Sequence, residues 1–173
     1  YGAGIGYDLK ETLGLQKALW RLDYLHSDIT SDSTTLNKFD HVLSTTFWLR
    51  NHRWGFVAEG FAATGQSADI AGFYLLPIYD LIPDKLQLVG RYTYSAGDGP
   101  DSLSLQKRYD SAAPLLTTGG TGDRHHAGYL GLQYFIYGEK LKLLVGVEYT
   151  SISGGTGGAY DGWTALTGLR LFF

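Results

Sequence analysis

The chain has 173 residues, with 14 Lys and Arg against 17 Asp and Glu, a formal net charge of −3. That balance excludes a nucleic-acid binder working through a basic surface, and no apolar run approaches the roughly 18 residues a transmembrane helix needs. The 24 Gly and 13 Tyr, beside 4 Trp and neither Cys nor Met, are an unusual mix for a soluble enzyme, and the length fits one domain over 1–173.

In chain order, alternating segments follow one another. Tyr1, Ala3, Ile5, Tyr7 and Leu9 alternate with Gly2, Gly4, Gly6 and Asp8. Ala18, Trp20, Leu22 and Tyr24 come next, then Leu43, Thr45, Phe47 and Leu49, then Phe56, Ala58, Gly60 and Ala62. The same unit recurs from Phe73 to Leu81, Leu86 to Tyr94, Gly128 to Ile136 and Leu141 to Tyr149. Trp163, Ala165, Thr167, Leu169, Leu171 and Phe173 close the series, opposite Thr164, Leu166, Gly168, Arg170 and Phe172. Period 2 over such lengths predicts strands, and helical spacing fits none of these stretches. Only Lys10 to Leu15 breaks the pattern, because Leu13 and Leu15 have the opposite parity to Trp20 and Leu22. It reads as a longer connector, a bulge that resets the face, or a short amphipathic helix.

The connectors alternate as well. Asn51-His52-Arg53, Ile82-Pro83-Asp84 and Gly138-Glu139 are tight turns. Between them lie longer polar or Gly-rich segments at 27–38, 65–70, 97–124 and 152–161. Short turns at one end and long loops at the other describe an outer-membrane barrel with periplasmic turns and extracellular loops. A soluble sandwich also alternates, but it keeps charge on its exposed face, whereas here the aromatic-rich rows carry almost none. The expected fold is all-β, a transmembrane antiparallel up-and-down β-barrel, with about eight full strands and one partial strand in this chain. Such a barrel belongs in the bacterial outer membrane, its apolar rows against lipid and lipopolysaccharide. Tyr24, Tyr94, Tyr149 and Trp163 near one end, with Trp54, Tyr79, Ile136 and Phe173 near the other, make the two interfacial girdles.

The run from Tyr79 through Ile82-Pro83-Asp84-Lys85 to Tyr92, with Trp20-Arg21-Leu22-Asp23-Tyr24-Leu25 and Arg53-Trp54-Gly55-Phe56, resembles the phosphate-selective porin O/P family. Members of that family are trimeric porins of 16 strands and about twice this length. The resemblance therefore implies the C-terminal half of a 16-stranded barrel and a homotrimer. An odd strand number points the same way, because single-chain bacterial barrels are usually even. The alternative is a complete small barrel of about eight to ten strands. The ending, with Gly168, Leu171 and Phe173, also resembles the terminal signal read by barrel-assembly machinery in bacterial outer membranes.

Selectivity in such a channel comes from lumen-facing charge. Parity places Arg21, Arg50, Arg91, Lys142 and Arg170 inward, together with Asp23, Glu59, Asp80 and Glu148. This near-balance is not an anion ladder. Arg and Glu on neighbouring strands are expected to pair and brace the wall, so phosphate specificity is not carried over from the family. Phe61, Tyr74, Tyr129, Phe135 and Trp48 are inward aromatic exceptions. His125 and His126 point to opposite faces and are poorly placed to share a metal, so with Asp123 and Arg124 they read as polar rim residues. The runs Gly119-Gly120-Thr121-Gly122 and Gly154-Gly155-Thr156-Gly157-Gly158 lack a following Lys-Ser/Thr and do not cradle phosphate. No catalytic residue, metal or cofactor is expected. The expected function is passive diffusion of small hydrophilic solutes, with a non-conducting barrel that scaffolds a partner complex as the alternative.

Overall fold

The structure, a computed structural model, describes residues 1–27, 39–65, 68–105 and 120–172. Phe173 and the middle of the 97–124 segment therefore lie outside the described residues. Strands β1 (Gly2–Asp8), β2 (Lys17–His26), β3 (His41–Asn51), β4 (Trp54–Thr64), β5 (Ile70–Ile82) and β6 (Leu86–Gly97) come first. Two short strands, β7 (Leu103–Ser104) and β8 (Thr121–Gly122), precede β9 (Arg124–Tyr137), β10 (Leu141–Ser153) and β11 (Tyr160–Leu171). All but β7 and β8 join one nine-stranded sheet in the order β1-β2-β3-β4-β5-β6-β9-β10-β11, every pairing antiparallel. The sheet is open, with β1 and β11 as its edges. The short β7–β8 ribbon inside the β6–β9 connection was not foreseen from the sequence.

Register preserves the parity of every alternating segment. One line runs Tyr7, Trp20, Phe47, Ala58, Leu75, Tyr92, Gly128, Tyr149 and Trp163, each directly opposite the next. Beside it, on the other face, runs Gly6, Arg21, Thr46, Glu59, Tyr74, Thr93, Ala127, Thr150 and Gly162. A slip of one residue at any pairing would have exchanged the faces beyond it.

The connectors explain how register is kept. His52–Arg53 forms a two-residue turn between β3 and β4. Asp84 (φ 59°) and Gly138 (φ 51°) supply the left-handed residues of the β5–β6 and β9–β10 turns. The parity break becomes a single helical turn, α1 (Lys10–Leu13), ended by Gly14 at φ 62°. It packs against β2, the Leu9 amide donates to the Ala18 carbonyl at 2.7 Å, and Ala18 is fully buried. Pro77 sits inside β5, where it cannot donate to the ladder. Gly90 stands beside it on β6, and a side chain there would meet the proline ring at 3.1 Å.

The described residues form a single layer. Its substantial contacts run between sheet neighbours, with α1 on β2 and the ribbon on β6 and β10. Buried apolar side chains among the described residues are few, the largest being Phe135, Leu105 and Ile152. Leu43, Phe47, Phe73, Leu130, Val145, Val147 and Trp163 all lie on one face and are all exposed. Domains ordinarily bury a sheet's apolar face against a second layer. Here, among the described residues, that face has no cover.

Candidate functional site on the charged face of the sheet

All nine charged residues assigned to the inward rows share one face, as their pairings place them. Lys17, opposite Arg50, joins them. Its parity with Leu19 and Arg21 was visible in the sequence, but the break at 10–15 hid it. This is the more enclosed face: Ala63, Val89, Phe135, Asp80, Lys142, Glu148, Thr150 and Ile152 are all buried on it.

The ion pairs reach further than neighbouring strands. Arg50 on β3 pairs with Asp80 on β5, passing over β4. Directly opposite Arg50 stands Gly55, and a side chain there would meet the Arg50 Nη1 at 3.2 Å. The missing side chain is the passage. Gln87 Nε2 donates to the other Asp80 oxygen at 2.8 Å and completes the group. Arg91 on β6 likewise pairs with Glu148 on β10, across β9. Tyr129 stands opposite both residues, and its ring centroid lies 5.7 Å from the Arg91 guanidinium carbon. Neighbour-strand pairing, expected from the sequence, is thus corrected. On the side of the carboxylates the residues facing these arginines across the ladder are Gly55 and Tyr129, and the carboxylates stand two strands away, about 10 Å, within an extended Arg reach.

In both pairs the carboxylate is sunk and the guanidinium is not. Side-chain exposure is 29% for Arg50 against 7% for Asp80, and 43% for Arg91 against 2% for Glu148. A count of formal charges near balance therefore does not describe what the face presents. Arg21 and Asp23 pair along β2 at 2.7 Å in the open. Glu59 faces Tyr74 across β4–β5 and is hydrogen-bonded to it. Lys142 donates to Glu139 at 3.0 Å near the tight turn, and Arg170 lies over the Phe172 ring at 4.3 Å. Trp48, Phe61, Tyr74, Tyr129 and Phe135 all belong to this face. Lys17 Nζ sits 3.1 Å from the Trp48 ring centroid.

Of the terminal residues singled out in the sequence, Gly168 lies on the charged face and Leu171 at the end of the apolar one. His125 and His126 do point to opposite faces, opposite Ser95 and Tyr94 respectively. Among the described residues no group of three or more metal-ligating side chains is present.

At the long-loop end the chain folds back onto the charged face. Leu105 packs on Ile152, with Leu103 and Tyr160 against them. A polar knot sits beside this cluster. Thr121 Oγ1 and Thr156 Oγ1 each donate to Asp101 at 2.6 Å, and the Thr156 amide adds a third bond at 3.2 Å. These donors, the Thr121 hydroxyl first, hold the Asp101 carboxyl below the usual carboxylate range. Sequence offered no signal for this knot, because its members are 55 residues apart at the widest.

The apolar face carries a different chemistry at the same end. Tyr24 Oη and His41 Nδ1 lie 2.7 Å apart, and Tyr92 Oη and His126 Nδ1 2.9 Å apart. Tyr149 and Trp163 meet at a tilt, their ring centroids 5.2 Å apart. These rings form a band with polar tips. The chain matches no protein-family model, no curated protein and no solved structure.

Proposed function

We propose that this chain is the wall of an outer-membrane β-barrel, a porin that lets small hydrophilic solutes diffuse through a water-filled lumen. One observation carries the reading. Across nine strands in register, the apolar face has no Asp, Glu, Lys or Arg between Arg124 and Asp161 at its long-loop rim and the tight turns at the other end. An uncovered sheet face of that composition is suited to hydrocarbon, and the Tyr-His and Tyr-Trp band along its rim is suited to the headgroup region and lipopolysaccharide. The opposite face, with its guanidinium groups, is suited to water. The two open edges would close against further strands, and in the trimer implied by the porin O/P resemblance, that of a 16-stranded barrel.

The test is single-channel recording of the full-length protein in a planar bilayer. Stepwise conductance is expected. Its absence would sink the porin and leave the second reading, a non-conducting barrel that scaffolds a partner. The observation favouring that alternative is the Leu105–Ile152 cluster, which brings the base of the longest connection onto the charged face.

A further inference from the structure

On the charged face, β5, β6, β9, β10 and β11 surround a hollow of about 420 Å³. Beneath it runs the register line Val89, Gly131, Gly146 and Leu166. The two central glycines carry no side chain, and the Tyr129 ring lies across both. A methyl group on Gly146 would stand 2.6 Å from Tyr129 Cε2 and from its hydroxyl. Tyr129 is thereby laid along the wall as a platform. Leu76, Val89, Leu144 and Leu166 rim it, and the Gln133 amide and Arg91 guanidinium stand at its margin.

The electrostatics of the margin follow from the cross-strand pair. Arg91 is 43% exposed and Glu148 only 2%, so the hollow meets the cation while the carboxylate lies beneath. A guanidinium carries five donors, more than one carboxylate oxygen can occupy. Next along β10 and β11, beyond Leu144 and Gly168, stands the directly opposed pair Lys142 and Arg170. An apolar slot with an aromatic floor takes a flat ring. A cationic margin takes an anion that is planar and accepts two hydrogen bonds. Phosphate would satisfy the margin but leave the aliphatic rim against water.

We propose, resting on the reading of this face as a lumen, that the hollow is a binding subsite for small aromatic carboxylates. Arg91 anchors the carboxylate and Tyr129 stacks on the ring. The test is calorimetric titration of the full-length protein, folded in detergent micelles, with benzoate, benzamide and inorganic phosphate, protein-free micelles being subtracted. Benzoate is expected to bind and phosphate not to displace it. Tyr129→Leu should weaken benzoate about tenfold, and Arg91→Gln should remove the preference for benzoate over benzamide. If Tyr129→Leu does not fold, Leu166→Phe fills the slot from its rim and should weaken benzoate likewise. No benzoate binding, or binding that survives these changes, would overturn the subsite. Bilayer conductance separates the two claims: conductance without benzoate binding removes the subsite and keeps the channel. Benzoate binding without conductance keeps the subsite and removes the channel.

Discussion

The two faces of this one sheet are built from the same strands and differ in how their polar groups are satisfied. On the apolar face the polar side chains are uncharged between the rims, as at Thr45, which accepts from Trp20 Nε1 at 2.9 Å, and along the long-loop rim hydroxyls and imidazoles pair locally, as Tyr92 does with His126. On the charged face they run the height of the wall, and two ion pairs cross an intervening strand, Arg50 to Asp80 over Gly55 and Arg91 to Glu148 over Tyr129. The first arrangement leaves no charge to solvate and the second holds strands together while keeping guanidinium groups in view. A face made by omission tolerates no charge. A face made by pairing tolerates no loss of a partner.

The sharpest way to break that contrast is to put a charge where none belongs. Val145 is 47% exposed near the middle of the apolar face, and Val145→Arg should cost about 2 to 4 kcal/mol for the protein folded in lipid vesicles. Thr46→Arg, on the other face, should stay within about 0.5 kcal/mol. Denaturant titration of both variants in the same vesicles reads the difference, and equal costs would mean that the faces are not lipid and water. Removing a partner is the converse test. Arg91→Met takes the guanidinium from a carboxylate that is 2% exposed. The loss should be about 2 kcal/mol, below that of a fully buried pair because Arg91 is itself partly exposed. Arg91→Met with Glu148→Met should recover most of it, and a double variant no better than the single would show that the pair is not the brace.

A smaller effect probes the passage beneath the pair. Gly146→Ala places a methyl group against the Tyr129 ring and should cost about 1 to 2 kcal/mol. The cost should disappear in a Tyr129→Ala background, and its persistence there would remove Tyr129 from the account. Gly131 and Gly146 also show what was legible in the sequence. Alternation sorted the strand residues by face because parity is local and survives any register that keeps both faces intact. It placed Arg50, Asp80, Arg91 and Glu148 on one face but could not pair them. Pairing depends on what stands between, and that Gly55 opens a way for Arg50 is a fact of register across three strands. The β7–β8 ribbon was illegible for another reason: two-residue strands carry no period. Lys17 was lost because α1 reset the parity just before it.

The knot at Asp101 is open to solvent, and pH can reach it. It lies in the connections beyond the strands, where Thr121 and Thr156 donate to its carboxylate. Those bonds lower its folded-state pKa, so the native chain holds fewer protons than the unfolded one between the lowered value and the usual one. Their contribution is complete above the usual carboxylate range and is lost as pH falls through the lowered value. Hydrogen exchange of peptides covering 120–123 and 154–157 should therefore accelerate on acidification, after correction for the intrinsic pH dependence of exchange. Asp101→Ala should raise exchange there severalfold at neutral pH, since it removes every acceptor. Asp101→Asn should do less, because a rotated Thr156 hydroxyl can accept from the new amide, and it should abolish the acid dependence. If acidification loosened Asp101→Asn as much as the wild-type chain, another group would be titrating, and the knot would be a consequence of the fold at that end of the sheet rather than one of its causes.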